Sequence, residues 1–248
     1  MTDQYSILAT YYDRIMEDVD YPAWVRFYEA CFEKYSEKPK KILDLACGTG
    51  AITIPLAEVG YEMTGLDLSA EMLALAAKKA EEKKLKVRLS EQNIALFDAG
   101  SRFEGIICSF DGVNYLTSPK DVLSMFHCVS ETLADGGLFI FDVSTPYKYE
   151  NILADNAFVY EYDDLFLTWQ NFYQKKTGLC HFYLTFFVED KNSWQRYDEE
   201  QKQRRYLLPR LEKMLKEAGL SVLEKVSDID FSPLTETSDR CFFICAKA

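Results

Sequence analysis

The feature that most constrains the fold is an alternation of short apolar segments with amphipathic helical stretches between residues 41 and 143. Short runs rich in Ile, Leu and Val are typical of buried strands, and the stretches between them repeat apolar residues at helical spacing. The candidate strands are 41–45, 62–66, 86–89, 105–109 and 138–143, separated by candidate helices at about 50–59, 70–84 and 119–134. Repeated strand–helix units predict an α/β fold, with a parallel sheet and helices on both of its faces.

The regions on either side extend this pattern. Two amphipathic helices precede the first strand, one over residues 5–16 and the other over 24–35. After residue 206 a helix over 208–218 ends at Gly219, because glycine is favoured just beyond a helix end. Two further strands, 220–226 and 240–246, complete the series.

Residues 147–206 interrupt the alternation. They hold 16 aromatic residues and show little helical periodicity. The segments 165–174 and 179–189 flank a Lys-Lys-Thr-Gly turn, which favours a hairpin, and 158–162 and 194–206 are further strand candidates. We therefore divide the chain into a core of residues 1–146 and 207–248 and a mainly antiparallel β insertion over 147–206. We expect the insertion to cap the carboxyl-terminal edge of the core sheet.

The first candidate strand runs into a glycine-rich turn. Residues 44–50 read Asp-Leu-Ala-Cys-Gly-Thr-Gly, and Gly48 and Gly50 allow positive φ angles and the close approach of a ligand to the backbone. The second strand leads to Asp67, 17 residues after Gly50, where a carboxylate can accept hydrogen bonds from both ribose hydroxyls of a nucleoside. Together these features predict a nucleoside cofactor.

Two nucleoside cofactors fit this geometry. A dinucleotide-binding turn usually has the pattern G-x-G-x-x-G, so that the amino end of a helix can hold a pyrophosphate. Thr53 occupies the third glycine position here. S-adenosylmethionine (SAM) has no phosphate and has less need of that approach, so the pattern favours SAM over NAD.

Five segments taken together resemble the motifs of class I SAM-dependent methyltransferases. They are residues 42–50, 65–73, 92–94, 103–116 and 133–137. The resemblance implies a Rossmann-like seven-stranded methyltransferase sheet, with SAM as methyl donor and S-adenosylhomocysteine as product. The N-terminal Tyr-Tyr-Asp helix and the antiparallel insertion after strand five make the chain similar to small-molecule enzymes such as glycine and sugar N-methyltransferases.

The resemblance also implies roles for individual residues. Asp44 would orient the glycine-rich turn toward the methionine part of SAM, and Asp67 would hold the ribose. Asn93 stands where the family usually has Asp, and its side-chain oxygen can still accept a hydrogen bond from the adenine amino group. Asp111 and Tyr12 are the candidate catalytic residues, Asp111 because it follows strand four at the ligand-binding edge of such sheets. The implied cofactor-binding residues are Tyr12, Tyr21, Trp24, Asp44, Ala46, Gly48, Gly50, Asp67, Leu68, Met72, Asn93, Ile94, Ser109 and Phe110.

Composition narrows the choice of partners. The formal net charge is −12, and a protein that neutralises phosphates usually presents a basic face, so nucleic acid is not an expected partner. No run approaches the roughly 18 apolar residues of a membrane helix, and the N-terminus lacks the basic and apolar regions of a signal peptide. We expect a cytoplasmic monomer or homodimer that needs no metal, with its seven cysteines reduced.

The sequence leaves the function open among several classes. The leading hypothesis is methyl transfer from SAM to N or O of a small-molecule acceptor. The alternatives are a non-catalytic SAM-binding sensor or subunit, which the same motifs would serve, and a tRNA or protein methyltransferase, which the acidic charge and the aromatic insertion disfavour. An NAD-linked oxidoreductase is weakened by Thr53.

Overall fold

A computed structural model of the chain describes residues 6–36, 38–191 and 193–248, so predictions on residues 1–5, 37 and 192 lie outside the described residues. The helices are α1 Ser6–Ile15, α2 Tyr21–Tyr35, α3 Thr53–Glu58, α4 Ala70–Glu82, α5 Pro119–Thr132 and α6 Leu208–Glu217. The strands are β1 Lys41–Leu45, β2 Glu62–Asp67, β3 Arg88–Glu91, β4 Phe103–Cys108, β5 Leu133–Ser144, β6 Ala157–Glu161, β7 Leu165–Gln174, β8 Leu179–Asp190, β9 Ser193–Arg204, β10 Leu220–Val226 and β11 Arg240–Lys247. A 3-10 turn covers Gly112–Tyr115, and a π-helical turn covers Lys148–Leu153.

Seven of the strands form one sheet in the order β10–β11–β5–β4–β1–β2–β3. The strands from β1 to β5 pair in parallel, whereas β11 runs antiparallel to both β5 and β10. The predicted α/β class and the seven-stranded Rossmann-like sheet are confirmed. None of the helices in the described part of the chain is long and apolar enough to cross a membrane.

Both faces of this sheet are buried, which explains why its strands are continuous apolar runs. Successive side chains of a strand point to opposite faces. On β5, Phe139 and Phe141 belong to a buried cluster with residues of α5 and α6, while Leu138 and Ile140 belong to another with residues of α2. The helices therefore cover both faces of the sheet.

The remaining four strands form a separate antiparallel sheet in the order β6–β7–β8–β9, as predicted for the insertion. One face of this sheet buries Leu167, Leu184 and Phe186 in a cluster with Leu8 of α1 and Met72 of α4. The sheet therefore packs on α1 and the start of α4, beside the loops that follow the core strands.

Several element boundaries differ from the sequence-based prediction, and those of β3 and β5 have a clear cause in strand pairing. β3 lies later than the predicted 86–89, because its ladder with β2 extends to the pair of Asp67 and Glu91. β5 begins at Leu133, inside the segment predicted as a turn, because Leu133 pairs with Phe103 of β4 before a register shift. The predicted turn is thus an irregular start of the strand.

A core substitution tests the packing of the main sheet. Phe141 is fully buried, and its ring centroid lies 4.8 Å from that of Phe139 and 4.9 Å from that of Phe243. We expect Phe141→Ala to lower the free energy of unfolding by about 3–5 kcal/mol, because it removes these contacts and leaves a cavity. Urea denaturation followed by circular dichroism measures the change. The control Phe172→Ala, at a side chain 51% exposed, should cost under about 1 kcal/mol. Equal losses would contradict the packing described.

Candidate active site

The carboxyl ends of β1, β2 and β4 meet at one edge of the main sheet, beside a cavity of about 390 Å³. They are neighbours because β1 pairs with β2 on one side and with β4 on the other. After β1 the chain turns through positive φ angles at Ala46, Gly48 and Gly50. A Cβ at Gly48 would meet no atom within 4 Å, so it is the φ of 54°, rather than crowding, that favours glycine there.

Asp67 closes this turn from the end of β2. One oxygen of its carboxylate accepts the Gly48 N–H at 2.7 Å, and the other accepts the Ser69 N–H at 2.9 Å. Burial raises the pKa of Asp67, while these backbone hydrogen bonds act in the opposite direction. The carboxylate is therefore held in a fixed position at the cavity wall.

Asp44, at the carboxyl end of β1, is the second acidic group in the cavity lining. Its side chain is 2% exposed and accepts a hydrogen bond from the Thr53 hydroxyl at 2.6 Å. Burial raises the pKa of Asp44 to about 7, and the nearby charge of Asp67 acts in the same direction. Thr53, which breaks the dinucleotide glycine pattern, thus has a structural use as the partner of Asp44.

The charge of these two carboxylates tests which cofactor fits. Neither Asp44 nor Asp67 has a cationic partner among the described residues. Carboxylates without a cationic partner attract a positively charged ligand and repel an anionic one, so this lining favours a cation over a pyrophosphate. SAM carries an ammonium group and a sulfonium, and it supplies the methyl group bonded to that sulfonium. The residues present therefore fit SAM.

Apolar side chains line another part of the cavity. Leu68, Met72 and Ile94 contribute apolar surface to the lining, as the flat face of an adenine requires. Asn93 also lines the cavity, and its side-chain oxygen accepts the Ala95 N–H at 2.9 Å. A carbonyl oxygen has two lone pairs, so the Asn93 oxygen can accept a second hydrogen bond. The predicted hydrogen bond from an adenine amino group to Asn93 is therefore compatible with this contact and stays a prediction.

The structure brings most of the predicted cofactor-binding residues together in the cavity lining: Tyr12, Asp44, Ala46, Gly48, Asp67, Leu68, Met72, Asn93, Ile94, Ser109 and Phe110. It does not place Tyr21, Trp24 or Gly50 there. The rings of Trp24 and Tyr21 pack against Phe110, with centroid distances of 4.2 and 5.9 Å. A Cβ on Gly50 would lie 3.1 Å from the Cβ of Ala76, so this glycine allows close packing on α4. These three residues therefore contact residues next to the cavity and do not line it.

Further lining residues were not among the predicted cofactor-binding residues: Leu8, Cys47, Thr49, Ala51, Ile52, Gly112, Tyr115, Leu116, Thr117 and Lys202. Those within or next to the glycine-rich turn could have been inferred from the motif, because neighbours in a turn share its surface. Lys202 comes from β9 of the insertion, and no sequence signal connects it with this cavity.

Helix α1 lies across the glycine-rich turn and is tied to it. The Asp13 carboxylate accepts a hydrogen bond from the Thr49 hydroxyl at 2.5 Å and pairs with the Lys79 ammonium of α4 at 2.5 Å. This anchoring puts Leu8 and Tyr12 of the same helix in the cavity lining. α1 therefore forms one wall of the cavity.

A second cavity of about 230 Å³ adjoins the first, since Leu8, Tyr12, Phe110 and Tyr115 line both. The end of β5, the π-helical turn and the inner face of the antiparallel sheet provide its other walls. The arrangement offers one space for a cofactor and a smaller one for a second molecule, which meet at the Tyr12 and Phe110 side chains.

Asp111, one of the two predicted catalytic residues, lines the second cavity. Its carboxylate accepts a hydrogen bond from the Gln203 side-chain amide at 2.5 Å and lies 3.8 Å from the guanidinium of Arg240. Its backbone N–H donates to Asp142 at 2.8 Å, and Asp142 is ion-paired with the same Arg240. The network fixes the Asp111 carboxylate at the cavity wall. Tyr12, the other predicted catalytic residue, has a pKa raised by burial and by the nearby Tyr21 and Asp111, so it stays protonated at neutral pH.

Comparison with known proteins identifies the family. Residues 42–137 match the family model described as a methyltransferase domain. The chain is 34% identical to a candidate methyltransferase of Geobacillus sp. (strain WCH70), over 98% of this chain and 99% of that one. It is 31% identical to the candidate methyltransferase YqeM of Bacillus subtilis (strain 168), over 98% and 97%.

Solved structures agree. A SAM-dependent methyltransferase from Clostridium acetobutylicum ATCC 824 superposes with a TM-score of 0.89 at 35% identity, covering 98% of this chain and 99% of that one. The sugar N-methyltransferase KedS8 from Streptoalloteichus sp ATCC 53650 shares the fold, with a TM-score of 0.73 at 20% identity over 95% and 92% of the two chains. The chain therefore belongs to the class I SAM-dependent methyltransferases, and its cofactor is SAM.

Removing the charge of Asp67 tests its predicted contact with the ribose. We expect Asp67→Asn to weaken S-adenosylhomocysteine binding by about tenfold or more, because a charge-assisted acceptor of the two ribose hydroxyls is lost. Isothermal calorimetry measures the dissociation constant. Glu91→Gln, at the exposed end of the neighbouring β3, is the matched control and should bind as the unchanged protein does. Unchanged binding by Asp67→Asn, or tighter binding of NAD than of S-adenosylhomocysteine, would contradict the site.

The raised pKa of Asp44 predicts a pH dependence. Below a pH of about 7 the carboxyl is protonated and cannot compensate the ligand ammonium, so affinity should rise as the pH increases. Between about pH 6 and about pH 7.5 the dissociation constant of S-adenosylhomocysteine should fall roughly fivefold to tenfold. Calorimetry at several pH values measures this, and Asp44→Asn should bind weakly with no such trend. A constant affinity in the unchanged protein would refute the role of Asp44.

Proposed function

We propose that this enzyme transfers the methyl group of SAM to a nitrogen or oxygen atom of a small molecule, which binds in the second cavity. The observation that carries the proposal is that the two cavities meet at Leu8, Tyr12, Phe110 and Tyr115. A methyl transfer between a sulfonium and a nucleophile is an in-line displacement, so the two molecules must face each other within van der Waals reach.

The size of the second cavity favours a small acceptor. Its volume is about 230 Å³, and α1 and the antiparallel sheet provide much of its wall, which leaves little room for a nucleic acid or a folded protein. A small acceptor bound between these walls would displace water from the reacting atoms. We infer that residues 147–206 form the cap over the acceptor, and KedS8, which shares the fold, is a sugar N-methyltransferase and thus an enzyme of this type.

Asp111 is the group we assign to proton transfer. A nucleophilic amine must be neutral, and a hydroxyl must lose its proton, so a carboxylate beside the acceptor assists either reaction. The Gln203 amide and the Arg240 guanidinium fix the Asp111 carboxylate at the wall of the second cavity. Tyr12 lines both cavities and is protonated, so its hydroxyl can donate a hydrogen bond where they meet.

A transfer assay separates the proposed function from its alternatives. The enzyme is incubated with methyl-labelled SAM and either a deproteinised small-molecule extract, bulk tRNA or an undigested protein fraction. We expect label in low-molecular-mass products and not in either polymer. Label in tRNA or protein at comparable efficiency would overturn the small-molecule assignment. Tight SAM binding without transfer to any fraction would make the chain a SAM sensor or subunit.

Asp111 should affect the rate more than acceptor binding. With an acceptor identified in that assay, we expect Asp111→Asn to lower kcat by about 10²-fold or more, because the amide cannot take a proton, while KM changes less. Steady-state kinetics measure both constants. Asp163→Asn, an exposed acid of the insertion, is the matched control and should leave them unchanged. A normal kcat in Asp111→Asn would remove Asp111 from catalysis.

A further inference from the structure

One cationic side chain in the lining of the second cavity has no ion-pair partner among the described residues. The charged residues in this lining are Asp111, Lys148 and Arg240. Arg240 is ion-paired with Asp142 and lies 3.8 Å from Asp111, so its one positive charge is shared between two carboxylates. Lys148 forms no ion pair with any carboxylate of the described residues. In a chain of net charge −12, this ammonium is a local exception.

Two buried hydrogen-bond donors in the same lining also have no partner. Ser144 is 1% exposed, and its hydroxyl makes no hydrogen bond, although its backbone N–H donates to Asn114 at 3.0 Å. The indole N–H of Trp169 is buried and unpaired within the described structure. An unsatisfied buried donor costs about 1–3 kcal/mol, and such a group often marks a binding site.

The two polar side chains that β9 contributes to this lining, Gln201 and Gln203, are already hydrogen-bonded to neighbouring side chains. The Gln203 amide accepts from the Tyr149 hydroxyl at 2.7 Å and donates to Asp111 at 2.5 Å. The Gln201 amide accepts from the Tyr115 hydroxyl at 3.0 Å and donates to a neighbouring Glu side chain at 2.8 Å. Asp111 is assigned to proton transfer, so the unpartnered polar groups of the described residues that line the second cavity alone are the Lys148 ammonium, the Ser144 hydroxyl and the Trp169 N–H.

The three free donors lie away from the cofactor. Ser144, Lys148 and Trp169 line the second cavity but not the first. Apolar side chains of α1 and of the antiparallel sheet, such as Ile15 and Leu184, provide much of the remaining wall. An occupant that matches this surface has an apolar body and an anionic group at the end remote from the cofactor.

We propose that the acceptor is a small organic acid with an apolar body, whose carboxylate is bound by the Lys148 ammonium, the Ser144 hydroxyl and the Trp169 N–H. A carboxylate has about four lone-pair sites for such donors, and charge-assisted hydrogen bonds are the strong ones. The methyl-accepting atom then lies at the other end of the molecule, toward Tyr12 and Asp111. This assignment rests on the proposed function only in taking the second cavity as the acceptor site.

A binding experiment that needs no methyl transfer tests the carboxylate site. The enzyme saturated with S-adenosylhomocysteine is titrated by calorimetry with benzoate, phenylacetate and 3-phenylpropionate, and with the three corresponding amides. We expect at least one acid to bind about tenfold more tightly than its amide. Lys148→Met should remove this preference, and Ser144→Ala and Trp169→Phe should each reduce it. The control Lys176→Met, an exposed lysine of the β7–β8 turn, should keep it.

Four results would overturn the assignment: no acid binds, the amides bind as tightly as the acids, Lys148→Met binds the acids like the unchanged enzyme, or phenyl phosphate binds more tightly than every acid. The acid–amide comparison in the unchanged enzyme stands even if a variant fails to fold. Acid binding without any transfer in the labelled-SAM assay would refute the proposed function alone. Transfer to neutral acceptors without acid preference would refute the carboxylate site alone.

Discussion

The parallel pairing of β1 with β2 and with β4 is the constraint on which the active site depends. This pairing brings the glycine-rich turn, the end of β2 and the loop after β4 to one edge of the sheet, and the hydrogen bond from the Gly48 N–H to Asp67 joins the first two. Asp44 is buried and Asp67 is partly buried, and neither has a cationic partner among the described residues, so the site favours a ligand that carries positive charge. The site therefore selects its cofactor by charge as well as by shape.

Closure of the site depends on elements distant in sequence. Asp13 ties α1 to the core through Lys79, while Arg14 of the same helix pairs with Asp164 of the insertion at 2.5 Å. α1 is thus held between the main sheet and the antiparallel sheet, and each of them contributes walls to the second cavity. In our account, acceptor specificity is a property of the 147–206 segment and of the end of β5.

The parts of the site that the sequence predicted are local in the chain. The turn from Asp44 to Gly50 needs only a strand, a run of small residues and a helix, so a short stretch of sequence is enough to predict its geometry. Asp67 could be predicted because it ends the next strand of the alternating pattern. The resemblance to the family assigned Trp24 to the cofactor, whereas its ring packs against Phe110; helical spacing alone cannot separate a ligand contact from such packing. The partners of Asp111 come from β9 and β11, and no local pattern encodes such contacts.

The most direct test is a crystal structure of the enzyme with S-adenosylhomocysteine. The account predicts that the ribose hydroxyls bind the Asp67 carboxylate and that the sulfur lies where the two cavities meet, beside Tyr12 and Phe110. The direction from the sulfur to the position of the transferred methyl group would then point into the second cavity, toward Asp111. A sulfur directed to solvent, or a ribose bound away from Asp67, would contradict the account.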